Sequence, residues 1–250
     1  MQLAAYGASD TGRLRAGNED RFHAGTSLFA VADGLGGHAA GEVASALAIE
    51  AVAGLDGRSF PAPDQARQAL VEAFAAAHRS VAREAASEPA WRGMGTTLTA
   101  LLVQGDSAHL AHVGDSRGYL LRGGGPLRQL THDHTVAAEL VRSGQLRPEL
   151  AASHPERGAL TQAIGLGRVV RVEVPDPLSL VVGDQVLLCS DGLTGVVDDD
   201  RIADLLTRHA QPESACLALI DAANAAGGPD NITVVLLRAG PPEQPRSSQS

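Results

Sequence analysis

Short apolar runs recur along the chain between Gly, Asp and Pro residues, a pattern typical of β-strands separated by turns. Two pairs of runs flank short turn sequences, Gln104-Gly105-Asp106 and Gly183-Asp184, so each pair predicts an antiparallel hairpin. The predicted strands are Ser27–Ala32, Thr97–Val103, Ser107–Val113, Gly118–Arg122, Leu178–Val182, Gln185–Cys189 and Ile232–Leu237.

Longer segments carry apolar residues three or four positions apart, which predicts amphipathic helices. In the segment Asp64–Ser87, Leu70, Phe74 and Ala77 follow this spacing, and Asp64 is the expected N-cap. The other predicted helices are Gly41–Leu55, Thr135–Ser143, Asp199–His209 and Pro212–Ala226. Hairpins combined with long helices favour an α+β architecture in which antiparallel sheets are covered by helices.

The chain has 250 residues, a length that suits one large domain, which we expect to span residues 1–239. The stretch from Arg142 to Gly167 is irregular and rich in Gly and Pro, and a connection of this length is often functional. The last residues, Gly240–Ser250, are polar and proline-rich, so they are expected to form a disordered tail.

Composition narrows the possible functions. The net charge is −9 and aromatic residues make up only 3% of the chain. Both values oppose nucleic-acid binding, which depends on basic side chains and on base stacking. A metal-dependent nuclease is disfavoured for the same reason, whereas an acidic protein is compatible with binding of divalent cations.

Cys189 and Cys216 lie in apolar stretches and are expected to be buried, reduced thiols. The first residues do not have the pattern of a signal peptide, and no apolar run approaches the roughly 20 residues that cross a bilayer. These features predict a cytoplasmic protein that does not engage the membrane.

Acidic residues border several of the apolar runs. Asp33, Asp115, Asp191 and Asp230 stand next to Gly or Asn, and Glu19-Asp20 precedes another short apolar stretch. A single Asp-Gly pair usually marks only a turn. Repetition of the pattern argues against coincidence, and if the carboxylates converge they would create an oxygen-rich site for two Mg²⁺ or Mn²⁺ ions.

Zinc is a poorer candidate because the chain has no His/Cys cluster at ligand spacing. His132 and His134 share a short loop and are expected on the surface.

The order of the motifs resembles the metal-dependent protein phosphatase 2C family, especially its compact bacterial members. Each motif is weak alone, but together they are highly specific and span residues 15 to 233. The matching stretches are R-x-x-x-E-D at Arg15–Asp20, DGLGGH at Asp33–His38, GMGTTL at Gly93–Leu98, VGDSR at Val113–Arg117, CSDGL at Cys189–Leu193 and DNIT at Asp230–Thr233.

This resemblance implies an α-β-β-α sandwich and the hydrolysis of phosphoserine and phosphothreonine in proteins. It also implies metal-ligand roles. Asp33 would bridge two ions with help from the Gly34 carbonyl, Glu19 and Asp20 would serve one ion, and Asp191 and Asp230 the other. Asp115 resembles the residue that joins the Asp191 position in holding a weaker third ion.

The resemblance further implies that Arg15 grips the substrate phosphate, a task for which the planar guanidinium fork is suited. A hydroxide held between the two ions would attack phosphorus in line, without a covalent intermediate, so Cys189 is not expected to be a nucleophile. The irregular stretch 142–167 corresponds to the family's substrate-facing flap.

One position departs from the pattern of eukaryotic members, in which a histidine proposed as general acid stands where this chain has Leu35. A water on the third ion is the preferred substitute, and His38 is expected to be structural. The alternatives are a phosphatase dedicated to one small regulatory protein and a pseudophosphatase, which the intact ligand set opposes. The expected partners are phosphorylated proteins, including a cognate Ser/Thr kinase, and the expected oligomeric state is a monomer.

Overall fold

The computed structural model describes residues 1–37 and 39–242. Its strands are β1 (Gln2–Asp10), β2 (Arg21–Ala24), β3 (Leu28–Ala32), β4 (Gly34–Leu35), β5 (Gly95–Thr96), β6 (Leu98–Gln104), β7 (Ser107–Val113), β8 (Arg117–Leu121), β9 (Arg128–Gln129), β10 (Leu178–Ser179), β11 (Gln185–Cys189) and β12 (Ile232–Gly240). Its α-helices are α1 (Ala39–Ala53), α2 (Pro63–Ser87), α3 (Val136–Arg142), α4 (Asp191–Thr194), α5 (Asp199–Arg208) and α6 (Pro212–Ala225). Short 3₁₀ helices cover Pro89–Trp91 and Pro148–Ser153.

The strands form two five-stranded antiparallel sheets and one small ribbon. The first sheet has the order β1-β12-β11-β8-β9, the second has the order β10-β7-β6-β3-β2, and β4 pairs with β5. Alternate side chains of the large sheets meet between them, where Phe29 and Leu101 of the second sheet share a buried cluster with Leu188 and Val235 of the first. The two sheets therefore pack face to face.

The outer faces of both sheets are covered by helices. Leu28 of β3 lies in a buried cluster with Val52 of α1 and Phe74 of α2. On the opposite side, Leu187 of β11 shares a cluster with Ile202 and Leu219, which belong to α5 and α6. The four-layer α-β-β-α architecture expected from the sequence is confirmed, and the central strands are apolar on both faces because both faces are buried.

Of the two predicted hairpins, the one at Gln104-Gly105-Asp106 is present, whereas the prediction of one at Gly183-Asp184 is wrong. β6 and β7 pair along their whole length through the turn at residues 104–107. In contrast, β10 pairs with β7 in the second sheet, while β11 pairs with β8 and β12 in the first. The turn Gly183-Asp184 therefore carries the chain from one sheet to the other, and the buried Asp184 carboxylate holds it through an ion pair with Arg122.

Strand β1, which was not among the predicted strands, pairs with β12 over nine residues. The strand is built mostly of small residues, which give a weak strand signal. Gly7 illustrates why small residues are needed, because a Cβ atom there would lie 2.5 Å from Cε2 of Phe22.

The helices agree with the predictions except at their ends. α2 starts at Pro63, and its N-cap is Ala62 rather than the expected Asp64, which lies in the first turn. Proline is favoured at this position because its backbone lacks the N–H that a helix start leaves unpaired. The prediction also missed the single turn α4, which starts at Asp191 itself.

Strand β12 extends to Gly240, past the predicted end at Leu237. Residues 243–250 of the expected tail lie outside the described residues. In the described part of the chain, no helix is both long enough and apolar enough to cross a membrane.

Candidate functional site

The acidic motifs meet at one end of the sandwich because both sheets deliver them there. Asp33 follows β3 and Asp115 follows β7, both in the second sheet. Asp191 follows β11 and Asp230 precedes β12, both in the first sheet. Glu19 and Asp20 immediately precede β2. A site assembled in this way joins residues from distant parts of the chain.

The carboxyl groups lie close enough to shift one another's pKa values. Burial, and then the charges of Asp20, Asp191 and Asp115, raise the pKa of Asp33 well above its usual value. The interaction between the Asp33 and Asp191 carboxyl groups raises the pKa of Asp33 further. Burial is the main cause that raises the pKa of Asp20 to about 6, and of Asp115 to about 7, with the Asp191 charge adding to both. Such shifts mark a place where negative charge is crowded.

Asp20 is the most enclosed of these residues, with 2% of its surface exposed. Its Oδ2 accepts a hydrogen bond of 2.7 Å from the Ser190 hydroxyl, which itself accepts one from the Thr233 backbone N–H. Ser190 therefore links the carboxylate of the β2 loop to both β11 and β12. Ser190 and Thr233 lie inside the matching motifs, but their local sequence does not predict this role.

Asn231 fixes the loop that carries Glu19. Its side-chain amide donates to the carbonyls of Thr11 and Gly17, at 2.9 Å each, and its Oδ1 accepts from the Glu19 backbone N–H at 2.8 Å. One side chain at the start of β12 thus holds both ends of the loop at residues 11–19. This role was also missed, although Asn231 lies within the DNIT motif.

The backbone around Asp33 is held just as firmly. Its N–H donates to the Thr97 hydroxyl, and its carbonyl accepts from the Thr97 N–H, both at 2.9 Å. Beside it, a Cβ atom on Gly34 would lie 2.2 Å from the Gly41 carbonyl oxygen. The start of α1 therefore approaches the Asp33 turn more closely than any side chain would allow.

Gly41 has a second function in this packing. A Cβ atom on Gly41 would lie 1.8 Å from Oε2 of Glu19. The Glu19 carboxylate therefore occupies the space that a side chain at position 41 would fill. This glycine, in the first turn of α1, was not singled out from the sequence.

Arg15 lies at the mouth of the site, where half of its side chain is exposed. Its Nη2 pairs with Oδ2 of Asp230 at 2.6 Å. Exposed ion pairs contribute little to stability, so an incoming anion can compete for this guanidinium.

A cleft of about 800 Å³ opens beside the acidic residues. Asp115, Asp191 and Asp230 line one side, and residues from the segment 148–159 line the other. Arg117 and Asp133 also face it and form a bidentate ion pair, with a shortest N–O distance of 2.7 Å. The cleft is large enough for several residues of a peptide.

Among residues 1–37 and 39–242, no three His, Cys, Asp or Glu side chains already surround a point where a metal ion could sit. Arg15 and Ser190 take up oxygens of Asp230 and Asp20, so protein groups satisfy part of the cluster. However, Oδ1 of Asp20 and Oδ1 of Asp191 are buried without a described hydrogen-bond partner. Unpartnered carboxylate oxygens among like charges are suitable ligands for divalent cations, which are hard and prefer oxygen.

A family model described as protein phosphatase 2C matches residues 14–220 of this chain. The chain belongs to the protein phosphatase 2C family. The family inferred from the motifs is thereby confirmed.

Two curated relatives illustrate the protein phosphatase 2C membership. The serine/threonine protein phosphatase PstP of Mycobacterium tuberculosis is 46% identical over 231 residues, which are 91% of this chain and 43% of PstP. The protein phosphatase PhpP of Streptococcus pneumoniae is 36% identical over 238 residues, covering 92% of this chain and 94% of PhpP. This chain thus spans less than half the length of PstP and nearly all of PhpP.

Solved structures of protein phosphatase 2C relatives have the same fold. The crystal structure of Mycobacterium tuberculosis PstP/Ppp has a TM-score of 0.89 and 42% identity, covering 96% of this chain and 100% of that one. A second structure, the PstP catalytic domain in complex with two manganese ions, has a TM-score of 0.85 and 40% identity, covering 96% and 99% of the two chains.

Other sequence-based expectations have mixed outcomes. Cys189 and Cys216 are buried free thiols, as predicted. The expectation that both loop histidines lie on the surface is right for His132 and wrong for His134, whose side chain is only 6% exposed. His134 is buried because its ring stacks on that of His112, with the centroids 4.9 Å apart. His38 lies outside the described residues.

Proposed function

We propose that this protein hydrolyses phosphoserine and phosphothreonine esters in proteins, with Mn²⁺ or Mg²⁺ as cofactor. The observation that carries the proposal is the convergence of acidic motifs from both sheets around two buried, unpartnered carboxylate oxygens. A protein phosphatase 2C relative whose structure is in complex with two manganese ions supports the choice of metal.

The residues of this chain divide into three ligand groups. Asp33 and the Gly34 carbonyl would contact two ions, Glu19 and Asp20 would serve one of them, and Asp191 with Asp230 the other. Asp115, which lines the cleft beside Asp191, would hold a weaker third ion. Divalent cations bound here lower the pKa of coordinated water and offset charge on a phosphoryl group.

Arg15 would bind the phosphoryl oxygens of the substrate. Its guanidinium is half exposed at the mouth of the site, and its ion pair with Asp230 holds it pointed inward before substrate arrives. With Asp230 serving as a metal ligand, the Arg15 guanidinium would be free to donate two parallel hydrogen bonds to phosphate.

We expect no covalent enzyme intermediate, and Cys189, the candidate thiol, is unsuitable as a nucleophile. Cys189 is buried, and burial raises the pKa of its thiol to about 12. A thiol with this pKa is almost entirely protonated at neutral pH, so it does not act as a nucleophile.

The substrate reaches the site through the cleft that residues 148–159 help to line, and the segment 142–167 forms the flap over it. Phosphorylated proteins are the substrates, and a cognate Ser/Thr kinase is among the partners of this protein. The protein acts as a monomer in the cytoplasm, a reducing compartment that suits its two free thiols.

The direct test is release of phosphate from a phosphothreonine peptide with Mn²⁺, Mg²⁺, Ca²⁺ or EDTA. We expect turnover with Mn²⁺ and Mg²⁺, because both accept the compact oxygen geometry, and little with EDTA. A Cys189→Ser variant should retain activity. Turnover that persists in EDTA, or that requires Cys189, would refute the proposal.

A further inference from the structure

A buried pair of histidines lies directly behind the turn that carries Asp115. His112, in β7, is fully buried, and His134 is 5% exposed. Their rings stack with an interplanar angle of 29°. Neither side chain lines the cleft beside the acidic residues.

The two histidines converge on one residue, Gly114. The Gly114 N–H donates to Nδ1 of the His134 ring at 3.1 Å, and the Gly114 carbonyl accepts from the His134 backbone N–H at 2.7 Å. Nε2 of His112 lies 3.0 Å from the same carbonyl. Both polar groups of the residue before Asp115 are therefore held from one side.

Both the backbone conformation and the surroundings of position 114 require a glycine. Its φ is +113°, and a Cβ atom there would lie 2.6 Å from the Thr97 side chain. Beyond Asp115, the Ser116 hydroxyl lies 2.7 Å from Oγ1 of Thr97, the residue that also holds the Asp33 backbone. The Asp115 turn is thus fixed at both ends.

The hydrogen bonds determine which ring nitrogens carry hydrogen. Nδ1 of His134 accepts from Gly114, so its hydrogen is on Nε2, which faces Oε2 of Glu173 at 3.4 Å. Nε2 of His112 faces two carbonyl oxygens, so it donates, and Nδ1 lies 2.8 Å from the Thr99 hydroxyl. Burial, with the neighbouring His134, lowers the pKa of His112 to about 4, which keeps it neutral.

Glu173, which follows the irregular segment 142–167 in the chain, contacts both His112 and His134. Its backbone exchanges two hydrogen bonds with His112, at 2.9 and 3.0 Å. Its carboxylate also accepts from His132 at 2.7 Å. Burial raises the pKa of Glu173, but the contact with His134 and the hydrogen bond from His132 outweigh burial and hold this pKa at about 2, so the group is a carboxylate.

We propose that His134, held by Glu173 and stacked on His112, is a positioning residue that fixes the Gly114 backbone and thereby aims Asp115 into the cleft. This inference rests on the proposed function for its effect on catalysis, but the structural link itself does not. His134 acts through Asp115 and touches neither phosphate nor metal.

The test compares three variants. His134→Ala removes the ring acceptor. His134→Asn places an amide oxygen near the position of Nδ1 and restores the acceptor for the Gly114 N–H. His109→Ala is the matched control, since His109 is also a buried histidine of β7, 2% exposed, and its ring has only a 3.4 Å contact with Ser107.

We expect His134→Ala to lower kcat on a phosphothreonine peptide by about 10–100-fold, the scale of a misplaced catalytic group, with KM changed by less than about threefold. His134→Asn should recover most of kcat, and His109→Ala should keep it. Equal losses of kcat in His134→Ala and His109→Ala would overturn the proposal, and so would a kcat that His134→Asn does not restore. Either result would indicate only general destabilisation.

A second readout is independent of activity and of metal. In the metal-free protein, the ¹H–¹⁵N resonance of Gly114 should shift in His134→Ala and return towards its original position in His134→Asn, while the Leu101 amide stays in place. An unmoved Gly114 resonance in His134→Ala would overturn the structural link. If the wild-type protein released no phosphate, the proposed function would fail while this measurement still decided the positioning role.

Discussion

At the scale of single residues, the main feature of the site is electrostatic repulsion between its carboxylates. The charges of Asp20, Asp191 and Asp115 all act on the Asp33 carboxyl group. Such an arrangement is unfavourable for the protein alone and becomes favourable when cations neutralise it. Asp33 is the residue on which most of these interactions meet, which makes it the most informative position to alter.

We predict that Asp33→Asn lowers phosphatase turnover at saturating Mn²⁺ by at least about 10³-fold, the scale of losing a principal electrostatic element. The amide keeps the shape but supplies a neutral ligand in place of the central carboxylate. Phosphate release from a phosphothreonine peptide measures the loss. Asp106→Asn, at an exposed hairpin turn, is the control. Near wild-type turnover in Asp33→Asn would contradict the two-metal proposal.

Arg15 leads to a different kinetic expectation. If its guanidinium binds substrate phosphate, Arg15→Ala should raise KM for a phosphopeptide more than it lowers kcat. Arg15→Lys should recover only part of the effect, since an ammonium cannot form two parallel hydrogen bonds. Steady-state kinetics separates the two constants. An unchanged KM would count against this role and direct attention to Arg13, which lies on the same loop.

The acidic residues could be identified from sequence because each belongs to a short motif whose chemistry is local. Their partners were harder to find. Ser190 bonds to Asp20, which is 170 positions away, and Asn231 to Glu19, which is 212 positions away. No local sequence pattern predicts contacts between residues so far apart in the chain. His134 was misplaced because its burial depends on His112, a residue of a different strand.

At the scale of elements, α1 can approach the acidic site closely because Gly34 and Gly41 have no side chains. The carbonyl of Gly41 nearly touches Gly34, and the Glu19 carboxylate fills the space beside Gly41. The helix start, the Asp33 turn and the Glu19 loop therefore form one packed unit. A single methyl group is enough to disturb it.

We predict that Gly41→Ala weakens Mn²⁺ binding by about tenfold or more and lowers kcat, because the methyl group displaces Glu19. Alanine is otherwise favoured over glycine in a helix by about 1 kcal/mol. Isothermal calorimetry measures the affinity. The matched control is Gly54→Ala, just after α1, where an added Cβ would meet nothing within 4 Å. Equal Mn²⁺ affinity in both variants would refute the steric argument.

Elements with strong periodicity could be predicted from the sequence, and those that depend on tertiary pairing could not. The buried runs of β6 and β7 and the spacing in α2 are clear local signals. Strand β1 carries few apolar side chains and is stabilised by its pairing with β12. The Gly183-Asp184 turn has the sequence of a hairpin, but the partners of its flanking strands lie in different sheets.

At the scale of the whole molecule, crowding of carboxylates couples metal binding, pH and stability. The folded-state pKa of Asp20 is raised to about 6 and that of Asp115 to about 7. In the metal-free protein, the stability from these protonated groups is complete below about pH 4 and is lost as pH rises through about 6 and 7. Cations bind the ionised forms, so their stabilising effect has the opposite dependence on pH.

We predict that saturating Mn²⁺ raises Tm by roughly 5–10 °C for one tight site at about pH 8, and by more for two sites. At about pH 5 the rise should be much smaller, because protons occupy the same carboxylates. Differential scanning calorimetry with Mn²⁺ or EDTA measures the difference. Asp33→Asn should remove most of it and still fold. Identical Tm values with and without Mn²⁺ at both pH values would show that the carboxylates do not form a metal site.

The pairing of β1 with β12 also sets the order of events during synthesis. Asp10 lies opposite Ile232 in this pairing, and the loop that follows Asp10 carries Arg15 and Glu19. On the ribosome, β1 therefore stays unpaired with β12 until more than 200 further residues have been translated. We predict that nascent chains stalled before Ile232 neither bind Mn²⁺ nor release phosphate. The newly made chain would thus lack the assembled acidic site until β12 has left the ribosome.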